Sequence, residues 1–263
     1  MTPFITFTSD FGQKDVYVAC VKAVILSRLP NAVILDVSHE IAPFRPLFAL
    51  PPLIEILEVT PPHSIHLVIV DPGVGSDRRA LVGVSPTHQF VFPDNGLPAT
   101  LLRWVGDMRF FHLDDPRIFG GFASPTFQGR DLFAPAVAEL GKGRRPEEMG
   151  REVPSSSLFQ DPSGRPDESG KCLVWNIDRF GNVLLGFRAI RPPEEVAVEW
   201  NGFLIPYVRR YQEVPIGHLG VLFNSSRWLE IFCREGSASE QTGLQIGTFL
   251  KIRIRGGTGQ TLT

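Results

Sequence analysis

Apolar residues in the first half of the chain alternate between strand-like runs and helix-like spacing. Short apolar runs predict strands at 4–8, 32–37, 65–70, 80–84, 89–92 and 109–113. Apolar residues at helical spacing predict helices at 15–28, 45–58, 96–104 and 131–141, the second interrupted by Pro51 and Pro52. Continuous apolar strands that alternate with helices are typical of an α/β domain with a mainly parallel sheet covered by flanking helices.

The pattern changes at a segment rich in Pro, Ser and Gly, residues 154–170, which we interpret as a linker. Beyond it, β-like runs are separated by turn residues, with no convincing helix between them. They lie at 172–177, 183–187, 196–200, 219–223, 228–233 and 248–254. We therefore predict an α/β domain over 1–153 and an all-β, barrel-like domain over 171–263.

Composition narrows the classes of function. The 263 residues include 26 Lys and Arg against 28 Asp and Glu, so no overall charge attracts nucleic acid or an anionic membrane. The three cysteines are far apart and the histidines show no metal-ligand spacing, so we expect no disulfide framework and no metal site. No apolar run is long enough to span a bilayer. We expect a cytoplasmic protein without nucleic-acid or membrane partners.

Polar loops follow several predicted strands of the first domain, at residues 8–15, 71–79 and 93–96, and a fourth at 126–131 precedes a helix. In an open parallel sheet, ligands bind beyond the carboxyl ends of the strands, which favours a shared site. Each loop also has a structural interpretation. Asp15 and Asp131 are candidate helix N-caps, and Asp94-Asn95-Gly96 is typical of a turn.

Asp71 is the strongest single candidate, because it ends the most buried predicted strand and shares its loop with Arg78. The glycines of that loop lack both the P-loop ending and the dinucleotide-binding spacing, which argues against a nucleotide phosphate. In the second domain, the loops 176–182 and 222–230 combine Asp, Asn and Ser with Phe. They are either plain β-turns or groups able to hold the polar edge of a base and an amino-acid zwitterion.

These loops, in this order, resemble the S-adenosyl-L-methionine hydroxide adenosyltransferases, which are related to the fluorinases and chlorinases. The resemblance covers nearly the whole chain. It is carried by TSDFGQKDVYV at 8–18, SHEIAPF at 38–44, DPGVGSDRR at 71–79, FPDNG at 92–96, TFQGRD at 126–131, IDRFGN at 177–182 and NSSRWLEI at 224–231. The resemblance implies an α/β domain followed by a β-barrel, and hydrolysis of S-adenosyl-L-methionine to adenosine and methionine without a cofactor. It also implies a homotrimer whose sites lie at subunit interfaces.

The resemblance also implies roles for individual residues. Asp71 and Arg78 match two of the three residues that hold the attacking water, and Gln128, our third catalytic candidate, stands at the third position without matching it. Asp10 matches the ligand of the ribose hydroxyls and Phe44 an aromatic wall against the sugar. The remaining positions assigned to substrate are Asp15, Asp178 and Ser225 for the methionine part, Asn182, Ser237 and Ala238 for the adenine edge, and Asp94, Asn95, Phe180 and Ser226 in the same blocks.

The chain departs from the family pattern at Gln128, where the hydrolytic members usually have His, at Leu184-Leu185-Gly186, and at Arg227, usually Gly. Gln cannot titrate, but its amide both donates and accepts hydrogen bonds. A hydrolase is therefore expected, with a non-catalytic sensor of S-adenosyl-L-methionine or adenosine as the main alternative. Halide transfer is disfavoured because a carboxylate beside the nucleophile repels an anion. A scaffold protein would leave the strand-end Asp residues unexplained.

Overall fold

A computed structural model describes residues 2–118, 124–161, 171–191, 193, 195–255 and 258–261. The chain divides into two compact units, Met1–Asp161 and Pro162–Thr263. Residues 154–161 of the predicted linker belong to the first unit, and residues 162–170 lie outside the described residues. The predicted domain limits at 153 and 171 stay predictions.

The first unit is built on a seven-stranded sheet. Its strands are β1 (Phe4–Ser9), β2 (Val33–Ser38), β3 (Ile65–Ile69), β4 (Ala80–Val84), β5 (Gln89–Pro93), β6 (Arg109–Leu113) and β7 (Gly150–Val153), in the order β2-β1-β3-β5-β4-β6-β7. β2, β1, β3 and β5 are parallel neighbours, whereas β4, β6 and β7 extend the sheet antiparallel. β4 must run antiparallel to β5 because only four residues connect them, too few for a crossover.

Four α-helices belong to this unit: α1 (Tyr17–Arg28), α2 (Leu50–Leu57), α3 (Leu97–Val105) and α4 (Ala134–Gly141). Apolar residues of α1 and α4, such as Val21 and Val137, pack with Phe7 and Leu67 of the sheet in one buried cluster. Pro51 lies in the first turn of α2, after a 3-10 turn at Pro46–Ala49. The prolines therefore begin this helix and do not interrupt it, since the first turn needs no N–H donor there.

The second unit is built on a β-sheet, as predicted for an all-β domain, and its strands pair antiparallel. Its strands are β8 (Lys171–Ile177), β9 (Val183–Arg191), β10 (Glu195–Trp200), β11 (Phe203–Ile205), β12 (Leu219–Phe223), β13 (Trp228–Cys233), β14 (Phe249–Arg255) and β15 (Thr258–Thr261). Val174, Leu185, Val221 and Ile231 are fully buried in its core. A short helix, α5 (Ala238–Thr242), was not predicted, and Ser237 caps it by accepting a hydrogen bond from Glu240 N at 3.1 Å.

The predicted fold class, an α/β part followed by an all-β part, is confirmed. Among the described residues, no helix combines the length and apolar character needed to cross a membrane.

Candidate active site

A cavity of about 440 Å³ opens at the carboxyl ends of β1 and β3 in the first unit. Parallel neighbouring strands end at the same edge, so the loops that follow them meet there. The cavity is lined by Asp10, Phe11, Tyr17, Pro43, Phe44, Ile69, Asp71, Val74, Thr126, Phe127, Gln128 and Gly129. The first unit thus brings together four of the predicted site residues, Asp10, Phe44, Asp71 and Gln128, in one cavity wall.

Arg78 connects two of these residues. Its Nε donates to Asp71 Oδ1 at 2.8 Å and to Oδ2 at 3.0 Å, and its Nη2 donates both to Asp71 Oδ2 and to Gln128 Oε1. The side chains of Arg78 and Asp71 are only 10% and 6% exposed. A buried, bidentate pair of this kind is held in a defined geometry. The three residues predicted to be catalytic therefore form one hydrogen-bonded group.

The hydrogen bond from Arg78 fixes the orientation of the Gln128 amide. Because Oε1 accepts from the guanidinium, the amide nitrogen is the part that remains to donate to another group. Gln128 and Asp71 both line the cavity, so a donor and an acceptor are presented to it side by side. That combination is suited to holding a water molecule.

Asp10 and Phe44 form a second polar contact at the cavity. Phe44 N donates to Asp10 Oδ2 at 3.1 Å, and Phe44 has a φ of 63° and a ring that is mostly exposed. Burial raises the pKa of the Asp10 carboxyl above its usual value; the Phe44 N–H opposes the rise and the charge of Asp71 adds to it. Asp10 is thus a half-buried carboxylate whose other oxygen can accept from a ligand hydroxyl.

Three aromatic rings make the apolar side of the cavity. The ring centroids of Phe11, Tyr17 and Phe127 are 5.2 to 6.1 Å apart. Such edge-to-face and tilted contacts hold the rings rigidly against one another. The polar groups therefore lie beside an apolar surface in the same cavity.

Asp15, Asp94 and Asn95 do not line this cavity. Asp15 is exposed, and because Val16 is the N-cap of α1, the capping interpretation of Asp15 is wrong. The same interpretation is wrong for Asp131, whose carboxylate accepts from the Arg130 guanidinium and from Ser124 N inside a π-helical turn, Gly129–Phe133. Asp94 and Asn95 directly follow β5, and their side chains bind the protein itself.

The second unit has its own cavity, of about 640 Å³, which includes the predicted residues Asp178, Phe180 and Asn182. Asp178 accepts from the backbone N–H groups of Phe180 at 2.8 Å and Asn182 at 3.0 Å, and from Asn182 Nδ2 at 3.0 Å. The Asp178 carboxylate therefore shapes the turn and points the Asn182 amide. Gly181, with a φ of 82°, lies so close to Ser237 that a Cβ would clash with it.

Sequence reasoning missed Tyr211 and Glu230. Tyr211 lines the same cavity and donates from its hydroxyl to Glu230 Oε1 at 2.9 Å, while Asn224 Nδ2 donates to Oε2 at 3.3 Å. Burial raises the pKa of the Glu230 carboxyl. The signal for Glu230 was present, since it is the one charged residue in the otherwise apolar strand Trp228–Cys233.

Ser225 and Ser226 lie in the turn that precedes this strand and do not line the cavity. Asn224 Oδ1 accepts from Ser226 N at 3.0 Å and from Trp228 N at 3.1 Å, so Asn224 sets the shape of the turn. Ala238 is buried at the start of α5. In the part of the chain that the structure describes, no three His, Cys, Asp or Glu residues are grouped to hold a metal ion.

The fold and the two sets of site residues define the class of this protein. Residues 5–150 match the SAM hydroxide adenosyltransferase N-terminal domain and residues 172–251 match the SAM hydroxide adenosyltransferase C-terminal domain. The chain belongs to the SAM hydroxide adenosyltransferase family.

Individual relatives agree with this assignment. The chain is 38% identical to an (R)-S-adenosyl-L-methionine hydrolase of Thermus thermophilus, with 94% of this chain and 98% of the relative covered. It is 32% identical to an enzyme of the same name from Salinispora tropica, with 95% of this chain and 98% of that relative covered. A fluorinase of Nocardia brasiliensis is 25% identical to this chain, with 69% of this chain and 70% of the fluorinase covered. Among solved structures, an uncharacterized conserved protein from Thermotoga maritima matches with a TM-score of 0.84 and 30% identity, over 95% of this chain and all of that chain.

Proposed function

We propose that this protein hydrolyses S-adenosyl-L-methionine to adenosine and L-methionine. The observation that carries the proposal is the buried Arg78, which joins by hydrogen bonds Asp71 and Gln128, two residues that line a cavity with an aromatic side. Relatives named (R)-S-adenosyl-L-methionine hydrolase support the substrate, and their name points to the R configuration at the sulfonium.

The reaction is a displacement at the 5′ carbon of the ribose. The oxygen of water forms the new bond to carbon, the carbon–sulfur bond breaks, and its electron pair stays on the sulfur of methionine. The water proton passes to Asp71, which acts as general base, and then to solvent. Arg78 orients the water and stabilises its developing hydroxide character. Because positive charge on sulfur disappears as the nucleophile attacks, an aromatic, water-poor cavity favours the transition state.

Gln128 does not transfer a proton in this scheme. Its Oε1 fixes the Arg78 guanidinium and its amide N–H groups donate to the water oxygen, which leaves the water's own protons for Asp71. Only water and the substrate are required, without a cofactor. An anion as nucleophile is disfavoured, because it would have to approach the Asp71 carboxylate.

The binding groups come from both units. Asp10 accepts from the ribose hydroxyls, Phe44 covers the sugar and Asp15 contacts the methionine part. From the second unit come Asn182, with the backbone at Ser237 and Ala238, for adenine, and Asp178 and Ser225 for methionine, with Phe180 and Ser226 in the same loops. Each cavity is open and holds only part of this set. In line with what the family resemblance implies, we propose a homotrimer in which the first unit of one subunit and the second unit of a neighbour complete each site.

The test is a product assay with the two sulfonium epimers of S-adenosyl-L-methionine in heavy-oxygen water. We expect adenosine and methionine from the R epimer, with the label in the 5′ hydroxyl, and much slower product formation from the Asp71→Asn variant, which serves as the control. Methylthioadenosine or S-adenosylhomocysteine in place of adenosine would contradict the proposal. Tight binding of either epimer without turnover would identify a sensor.

A further inference from the structure

The turn at 93–96 contacts both ends of the loop that carries Asp71 and Arg78. At one end, Asn95 Nδ2 donates to the carbonyl of Val70, directly before Asp71, at 2.7 Å. At the other end, directly after Arg78, Arg79 donates to Asp94 Oδ2 from Nε at 2.8 Å and from Nη2 at 2.6 Å. The backbone repeats this contact, since Asp94 N donates to Arg79 O at 2.9 Å.

These contacts turn the polar side-chain atoms of Asp94 and Asn95 toward the protein itself. The side chain of Asp94 is only 3% exposed, and its other carboxylate oxygen, Oδ1, accepts from Phe159 N at 3.0 Å. Asn95 Oδ1 accepts from Leu97 N at 3.3 Å while its amide nitrogen binds Val70. The amide of Asn95 thus supplies an acceptor to Leu97 at the start of α3 and a donor to Val70 after β3 at once.

We infer that Asn95 and Asp94 are positioning residues for the Asp71–Arg78 pair, an inference that rests on the proposed hydrolysis. The carbonyl of Val70 sets where the Asp71 backbone leaves β3, and the Arg79–Asp94 ion pair sets where the Arg78 backbone returns into β4. In-line attack tolerates little displacement: a shift of about 1 Å in a reacting group costs on the order of 10²-fold in rate. The turn therefore acts on the rate of the chemical step through Asp71 and Arg78.

The sharpest test is Asn95→Asp, which exchanges the amide nitrogen for an oxygen and keeps the acceptor for Leu97. The new oxygen repels the Val70 carbonyl, so we expect kcat to fall about tenfold or more. Adenosine, used as the binding probe, should keep its Kd within about twofold, because Asp10 and Phe44 are untouched. Asn31→Asp, at an exposed turn of the same unit, makes the same charge change and should retain parental kinetics.

A double-mutant cycle separates positioning from general damage to the fold. In an Asp71→Asn background, Asn95→Asp should lower kcat by less than about twofold, since the group it positions is already lost. A full additional tenfold loss would overturn the inference, as would an unchanged kcat in the single variant or a loss confined to adenosine affinity.

Arg79→Lys offers an independent variant if Asn95→Asp does not fold. Lysine keeps the charge opposite Asp94 but not the paired hydrogen bonds, so kcat should fall while adenosine affinity is kept. Parental kcat in Arg79→Lys would contradict the positioning role. If the parent protein itself makes no adenosine, the proposed hydrolysis fails, and that result is seen before any variant is made.

Discussion

Arg78 donates a hydrogen bond from Nη2 to Oε1 of Gln128, and the same nitrogen donates to Asp71. Gln128 is thus tied to the catalytic pair by its acceptor atom. If this position only orients groups, Gln128→Ala should lower kcat about tenfold and leave the affinity for adenosine nearly unchanged. Gln128→Glu keeps the acceptor but removes the amide N–H groups, so it separates the holding of Arg78 from donation to the water. Equal rates for parent, Ala and Glu would exclude position 128 from the catalytic set.

Gln128→His tests the same position in the opposite direction. A His can still accept from Arg78 with one ring nitrogen, and unlike Gln it can also act as an acid or base, so we expect kcat to rise. The variant should also gain a dependence on pH near the His pKa of about 6.5, which the parent lacks. The measurement is kcat between pH 5.5 and 8.5, with Gln128→Ala as the control.

Asp71→Asn should lower kcat by about 10² or more, the range expected for loss of a general base, with little change in adenosine affinity. Asn keeps the shape of the side chain and one acceptor for Arg78, so the fold of the loop is largely retained. Calorimetry with adenosine checks affinity, and single-turnover kinetics check the rate. A large loss of affinity with an unchanged rate would assign Asp71 to binding.

Substitution of Asp10 should weaken adenosine binding, in contrast to Asp71, and the affinity of the parent should depend on pH. Asp10→Ala removes the acceptor for the ribose hydroxyls, so adenosine affinity should fall. Burial raises the pKa of this carboxyl, and only the ionised form accepts from both hydroxyls; affinity should therefore be full at neutral pH and decline as pH falls through the raised pKa. Asp10→Asn should bind weakly with no such decline. Calorimetry at pH 7.5 and at pH 5 distinguishes these outcomes.

Local sequence signals predicted the positions of helices and strands better than they predicted which strands pair and in which direction. The apolar runs at 65–70 and 80–84 mark β3 and β4, but nothing in either run specifies that β4 pairs antiparallel with β5 and β6. β7 was missed because Gly150-Arg151-Glu152-Val153 is short and mostly polar. Strand direction depends on loop length and on distant partners, which periodicity does not report.

The same limit applies to the site. Asp71, Arg78 and Gln128 were predicted together, and the structure joins them by hydrogen bonds. Asp94 and Asn95 follow a predicted strand and were assigned to substrate through the family resemblance, yet their side chains bind Arg79 and Val70. Position at a strand end identifies a loop near the site, but whether a side chain faces the ligand or the protein depends on its rotamer and on partners distant in the sequence.

A buried histidine contact should make the first unit sensitive to acid. His66 Nδ1 lies 2.8 Å from Thr6 Oγ1 and its Nε2 lies 3.2 Å from His88 Nδ1, and burial lowers the pKa of His66 to about 3. The unfolded chain, with a pKa of about 6.5, binds the proton more readily between these values. Stability is therefore complete above about pH 6.5 and is lost as pH falls toward 3.

When the pH falls from 7.5 to 5.5, His66 alone should lower the free energy of unfolding by about 1 kcal/mol. Urea denaturation at the two pH values measures the loss. His66→Gln should reduce the difference, whereas His218→Gln, at an exposed position, is the matched control. An equal pH dependence in parent and His66→Gln would show that another group is responsible.

The last prediction concerns assembly, and it follows from the division of the binding groups between two units. Light scattering should give about three times the mass of the 29.2 kDa chain. Asp71→Asn disables the first unit and Asn182→Ala the second, and the two variants are co-expressed and purified as mixed trimers. If a site joins the first unit of one subunit to the second unit of a neighbour, about one quarter of the sites in random mixtures contain neither substitution. Mixtures should then regain about a quarter of the parental rate at low substrate, while each variant alone stays nearly inactive. A site built within one subunit predicts no recovery at all, because every chain in the mixture carries one of the two lesions.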